Sequence, residues 1–280
     1  EAIGGVVNVV TRAGGLGRAR AQLEGRYAHG SHSLDAGSLR VASKAGDRVT
    51  VSVDASRSES SGFRDDREHA VGALRASVRV DTAAGPVTLS GGAADREFGA
   101  YAFYGTRYPN QQESTRTRSL GLSADLAVGG GWSLAPSATA RSHHDDFVLE
   151  RTNPSFYRNV TDSDRSAFRL VARHALLGGT LAFGAEAGRD AIESTNLGDH
   201  DRARQAAFAE LGRSFSTASP SSGGFRAGLR VDRYDDYGSR VSPQLAAWVA
   251  LAKGLRARAS AGMAFRVPTY TELYYTDPQT

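Results

Sequence analysis

Arg48-Val49-Thr50-Val51-Ser52-Val53-Asp54-Ala55-Ser56 is the stretch whose reading decides the fold. Val49, Val51, Val53 and Ala55 alternate one for one with Arg48, Thr50, Ser52, Asp54 and Ser56. A period of two belongs to an extended strand with one apolar and one polar face, because successive side chains point to opposite sides. The pattern returns in Leu74, Ala76, Val78 and Val80 against Arg75, Ser77, Arg79 and Asp81, and in Leu120, Leu122, Ala124 and Leu126 against Ser119, Gly121, Ser123 and Asp125. It recurs in Phe225, Ala227, Leu229 and Val231, and again from Leu255 to Phe265.

A soluble β-sandwich would also alternate, so length and connections must discriminate. The runs extend over about 10 to 13 residues, whereas soluble strands average about 5 to 6 and a tilted membrane strand needs about 9 to 11. Short connections (45–47, 83–86, 129–131, 177–179, 252–254) take turns with longer polar and aromatic ones at 57–68, 98–114, 146–163 and 194–203. Tight turns on one rim and long loops on the other are the habit of an outer-membrane barrel. A sandwich has no reason to sort its loops.

Strands are expected near 18–29, 33–43, 47–57, 70–81, 86–97, 115–127, 132–145, 164–176, 180–193, 204–216, 224–235, 241–251 and 255–265, about thirteen in all. The second is the weakest, resting on Leu34, Leu39 and Val41. An odd count without a closing strand leaves two edges that lipid cannot satisfy, so a larger barrel is expected. The chain also opens inside what reads as a strand, with no signal peptide at Glu1.

Composition agrees. The 280 residues carry a net charge of +4, no cysteine and 32 glycines, with a mean hydropathy of -0.37. No stretch of about 18 uncharged apolar residues is present to make a spanning helix. Disulfide frameworks and thiolate metal sites are excluded. The arginines are spread singly along strands among Asp and Glu, so the basic balance predicts hydrated mixed-charge faces and no nucleic-acid partner. Trp132 and Trp248 beside short turns, and Tyr27, Phe147, Tyr234 and Tyr237 at the opposite ends, are expected to form interfacial girdles in outer-membrane lipid.

Two segments carry a family resemblance. Glu1-Ala2-Ile3-Gly4-Gly5-Val6-Val7-Asn8-Val9-Val10-Thr11-Arg12 resembles the last plug strand of TonB-dependent receptors, with Ile3, Gly4, Gly5 and Asn8 in the motif. Phe265-Arg266-Val267-Pro268-Thr269-Tyr270-Thr271-Glu272-Leu273-Tyr274-Tyr275 resembles the family's segment at the extracellular end of a barrel strand, with Phe265, Arg266, Pro268, Glu272, Leu273 and Tyr274 as its markers. Tyr234 to Leu245 is similar to the loop and returning strand before it. The resemblance implies the end of a plug at residues 1–15 and part of a barrel of about 22 strands at 16–280. It further implies a transport receptor in the outer membrane of a Gram-negative bacterium, contacting a TonB complex through an N-terminal segment outside this chain. The cargo would be a small, scarce chelate. The flavour of Phe98 to Gln111 and His143 to Phe147 is similar to the cobalamin-transporter-like branch, with iron-siderophore receptors an equal alternative.

Candidate site residues follow from the loops. Phe98, Tyr101, Phe103, Tyr104 and Tyr108 offer flat contact area to a bulky ligand, or else pack the loop against its neighbours. Asp145 and Asp146 after His143 and His144, and Asp235 with Asp236, are the carboxylates that calcium could use. Adjacent strand residues point to opposite faces, so only His143 with Asp145, or His144 with Asp146, can share a side. Asp235 and Asp236 beside Gly238 read equally as turn formers. No cofactor is expected, and no Ser-His-Asp set accompanies a strained nucleophile turn, so an enzyme is not expected. A passive porin or adhesin barrel remains a competing class.

Overall fold

The computed structural model describes residues 16, 19–103, 105–176, 178–216, 222–252 and 254–276. The plug-like motif at Ile3, Gly4, Gly5 and Asn8, and Tyr104 of the aromatic cluster, lie outside the described residues. The chain forms β1 (Ala21–Gly30), β2 (Leu34–Ala45), β3 (Val49–Ser60), β4 (His69–Asp81), β5 (Pro86–Gly99), β6 (Gln112–Ala124), β7 (Leu126–Gly129) and β8 (Trp132–Val148). There follow β9 (Arg158–Leu176), β10 (Gly179–Ser194), β11 (Gly198–Ser216), β12 (Ser222–Tyr234), β13 (Gly238–Ala252), β14 (Leu255–Gly262) and one helical turn, α1 (Tyr270–Tyr274). All strands join one antiparallel sheet in sequence order, with β1 and β14 at its edges and the short β7 pairing only β8.

The expected strands are present, and the weak second one pairs with β1 and β3 along most of its length. Three expectations change. The strand expected at 115–127 breaks at Asp125 into β6 and β7. Gly85 sits there with φ 139°, and a Cβ on it would stand 2.0 Å from the Asp125 carbonyl oxygen, so only glycine admits this approach. The long loop expected at 194–203 is a turn of Thr195, Asn196 and Leu197, because β10 and β11 keep pairing up to Ser194 and Gly198. The strand expected at 255–265 stops at Gly262. Alternation of apolar with polar marks a strand only while one face meets lipid; above that level both faces are polar and the signal fades.

The registers assign the faces, since directly paired residues lie on the same side. One face carries Leu39, Val51, Val53, Leu74, Leu120, Leu122, Phe168, Leu229 and Leu245, all exposed. A continuous band of bare Leu, Val and Phe is untenable in water and is what lipid requires. The other face carries Arg40, Asp54, Glu186, Arg204, Glu210 and Arg230. Arg230 of β12 reaches past β11 to Glu186 of β10 at 3.6 Å, and Gln244 of β13 reaches Glu210 of β11 at 3.2 Å. Strands two places apart are roughly 9 to 10 Å distant, so such contacts form where the sheet curves inward. The polar face is therefore the concave one.

The girdle expectation is corrected in part. Tyr27 and Trp132 are on the outer face, Trp132 stacked on His174 at 4.4 Å. Trp248, Phe147 and Tyr234 instead point inward, with Phe147 and Tyr234 buried. An aromatic at a strand end is pulled inward whenever a partner waits at the mouth: Tyr157 meets Phe147 and Phe265 meets Tyr234.

Candidate functional site

The strands β8 to β11 run 16 to 19 residues, well beyond what crosses a bilayer. On β8 the outward apolar residues end near Ala140, and on β6 they begin near Leu120. Above those positions the inner face of the sheet holds a cavity of about 750 Å³. Its wall is Glu113 of β6, Arg141, His143, Asp145 and Phe147 of β8, Thr161, Ser163 and Arg165 of β9, and Asp190 and Ile192 of β10. Arg107 and Tyr108 from the loop at 100–111, Tyr157 from the loop at 149–157, and Tyr270 and Tyr275 are also part of its lining.

The electrostatics are arranged in levels. Deepest, Arg141 and Arg165 face each other across β8 and β9. Arg165 is balanced by Asp190 at 3.2 Å, whereas Arg141 has no ion pair among the described residues. Above them His143 meets the Thr117 hydroxyl at 2.8 Å, and burial first, then Arg141, holds its imidazole below the ordinary range. At the top, Glu113 and Asp145 face the cavity as diagonal neighbours on β6 and β8. Burial, with the Asp145 charge added, pushes the Glu113 carboxyl up; burial likewise raises Asp145.

The segment after β14 forms one side of the mouth. Thr269 caps α1 in a capping box: its hydroxyl accepts from the Glu272 N–H, while the Glu272 carboxylate accepts from the Thr269 N–H at 2.7 Å. Arg266 adds a two-pronged pair to Glu272, both contacts at 2.6 Å, and holds that carboxyl down at about 2. The segment is fastened to the wall by Arg202 of β11, which is only 5% exposed. Arg202 donates to Asp236 at 2.6 Å and to the Pro268 carbonyl at 3.1 Å, and its guanidinium lies over the Tyr237 and Tyr270 rings at 5.0 and 5.1 Å. Tyr270 donates its hydroxyl to the Asp190 carbonyl at 3.0 Å, and burial raises that phenol to about 12. Tyr274 stacks on His200 with centroids 3.6 Å apart.

The expected site residues divide accordingly. Of the aromatic cluster, Tyr108 lines the cavity and packs on Phe156 at 5.4 Å. Phe98 points inward opposite Glu113, Tyr101 is sandwiched near Arg64 and Arg67, and Phe103 is exposed. Asp145 and Asp146 take opposite faces, and Asp146 is spoken for by both prongs of Arg158. Asp235 accepts from the Ala203 N–H and Asp236 holds Arg202, so this pair ties a turn to the wall. Among the described residues, no group of three or more His, Cys, Asp or Glu is placed to hold a metal ion. Sequence reasoning missed Arg141, Arg165, Tyr157 and Arg202. A parity count inward from Asp145 would have found Arg141; nothing local marks Arg202.

Comparison with known proteins adds the family. A family model described as TonB dependent receptor-like, β-barrel, matches residues 50–280. No curated protein matches the chain. Among solved structures, the siderophore receptor PirA from Pseudomonas aeruginosa superimposes with a TM-score of 0.67 at 14% identity, covering 89% of this chain and 43% of that one. The pyoverdine receptor FpvA from Pseudomonas aeruginosa PAO1, bound to pyoverdine, gives 0.65 at 11% identity, covering 86% and 46%. The copper transporter OprC gives 0.66 at 17% identity, covering 91% and 46%. The chain thus spans less than half the length of each of these three, and at such identities the likeness is one of fold. Together with the sheet that residues 50–276 build, the family match means that this chain belongs to the TonB-dependent receptor β-barrel family.

Proposed function

We propose that this chain is the cargo-capturing wall of an outer-membrane receptor that imports a scarce metal chelate, driven through TonB. The cavity above the lipid band carries the reading: about 750 Å³, walled by aromatic rings, with the Arg141 guanidinium, which has no ion pair among the described residues, at its floor. That volume suits a ligand of several hundred daltons, since small-molecule sites occupy about 300 to 1,000 Å³. Arg141 offers the seat for an anionic group, and chelates built on carboxylate, catecholate or hydroxamate oxygens present such groups. A siderophore-type iron chelate is favoured over cobalamin because PirA and FpvA, of similar fold, are siderophore receptors. Residues 1–15 would close the barrel as the end of a plug, and the assembly would reside in the outer membrane of a Gram-negative bacterium.

The test is uptake by cells expressing the receptor from its complete gene. Labelled ferric siderophores should accumulate only while the proton-motive force is intact, and labelled cobalamin should not. Uptake insensitive to dissipating that force would make the barrel a passive pore and end this reading. For the floor, Arg141→Ala should weaken binding of an anionic ferric chelate roughly tenfold, a typical loss for one charge-assisted contact. Intrinsic-fluorescence titration of the purified receptor measures it.

A further inference from the structure

The outward face changes character at one level. On four strands an arginine stands two residues above the apolar run: Arg57 above Ala55, Arg118 above Leu120, Arg189 above Ala187 and Arg233 above Val231. Each shares the parity of the outward residues on its strand, and all four are exposed. Asp95, above Ala93 on β5, is a carboxylate at the same level, and Arg116 holds it at 2.9 Å. Higher outward positions turn acidic, with Glu59, Glu97, Asp164, Glu193 and Asp201.

The four arginines differ in what answers them. Arg57 and Arg189 each donate through Nε to a carboxylate one step higher, Glu59 and Asp201. Arg118 and Arg233 have no ion pair among the described residues. Arg118 is opposite Ser142, and Arg233 stands between Gln205 and Ser239. Beside Arg118 the outer wall is hollowed into a groove of about 580 Å³. Leu120 and Ala140 form its lower side, Ser142 and Ser166 its back, and Asp164 and Glu193 its upper side.

We infer that Arg118 and Arg233 seat the phosphate groups of lipids in the outer leaflet of the surrounding membrane. Two residues above the apolar run is roughly 7 Å along a strand, or about 5 Å in height at a tilt of about 40°. The headgroup layer is about 5 to 7 Å deep on each side of the hydrocarbon, so both guanidinia lie within it. Phosphate is the anion of that layer, and the fork of a guanidinium fits it with two parallel bonds. Ser142 and Gln205 add neutral donors at the same level, while Leu120 and Val231 below them meet the acyl chains. The nearest unpaired acid, Asp164, is four residues above Phe168 and about 10 Å above the hydrocarbon, beyond the headgroups.

This inference rests on the outer-membrane placement proposed above, and one experiment separates the two. The receptor, expressed from its complete gene and purified in detergent, is titrated with lipid A bearing both phosphates and with lipid A stripped of them. Native mass spectrometry reads the bound lipid. The phosphorylated form should bind roughly tenfold more tightly. Arg118→Gln with Arg233→Gln should erase that preference. Arg118→Lys with Arg233→Lys should keep most of it, which tells a lost charge from a packing defect. Arg57→Gln with Arg189→Gln, whose guanidinia are already answered, should leave it within about twofold of native. Equal binding of both lipids by the native receptor, or a preference that survives in the Arg118/Arg233 glutamine pair, overturns the phosphate seats and leaves the membrane placement standing. A receptor that stays in water when detergent is removed in the presence of lipid vesicles overturns the placement and the seats with it.

Discussion

The lower and upper parts of the same strands obey different rules. Through the lipid band, each position answers to one question, whether it faces outward or inward: Leu39 is outside and Ser38, its neighbour, is inside. Above the band the strands continue in water, and position is decided by contacts between residues far apart in sequence, as when Arg202 grips Asp236 and the Pro268 carbonyl. The first regime is periodic and local. The second is aperiodic and long-range.

The sharpest way to break the comparison is to move one charge by one residue. Leu39→Arg places a guanidinium in lipid and should destabilise the barrel by about 2 to 4 kcal/mol, while Ser38→Arg, facing the lumen, should change stability by less than about 1 kcal/mol. Equilibrium unfolding in lipid vesicles reads both, and similar costs would refute the assignment of faces. In the upper regime, Arg202→Ala should cost about 2 kcal/mol, less than the 3 to 5 of a fully buried pair because Asp236 stays partly hydrated. Hydrogen exchange should localise that loss to residues 265–276 and the turn at 235–237 and leave β2 to β4 unchanged.

The smallest effect is a pH dependence of the mouth. Glu272 is held at about 2, below its ordinary 4.5, by Arg266 and the Thr269 N–H. A depressed carboxyl contributes stability that is complete above the unfolded value and lost as pH falls from about 4.5 through about 2. Protection of the Thr269–Tyr275 amides, corrected for intrinsic exchange, should therefore decline across that window in the native receptor. Glu272→Gln should show less protection at neutral pH and no further decline. A flat native profile would mean the clamp does not fasten the helix.

The two regimes explain what the sequence disclosed. Val49 to Ala55 announce a strand, its faces and its medium, because lipid enforces the alternation that a reader sees. The top of β11 reads as loop in the sequence, because Asp199 and Asp201 there are polar on a face that no longer meets lipid. Asp235 and Asp236 could be seen as turn residues but not as the anchor of Arg202, which comes from another hairpin. In sequence Phe147 and Tyr234 read as membrane-surface residues, because distance from a turn is visible there, whereas side is lost once parity is uncertain. The same uncertainty hid Arg141. The aromatic loop drew notice by composition, yet Tyr108 is its member on the cavity, since a loop's path is set by what it packs against.

The tall wall has one more consequence. β9 spends about 10 of its 19 residues crossing lipid, so the remainder rises as a free-standing parapet. On the outward side, Asp162 of β9 and Arg189 of the neighbouring β10 stand above the apolar band and away from the cavity. That skin is bound by neither of the constraints that govern the rest of the strand. It is the part of the strand whose outward chemistry can change without disturbing either the lipid band or the cavity wall.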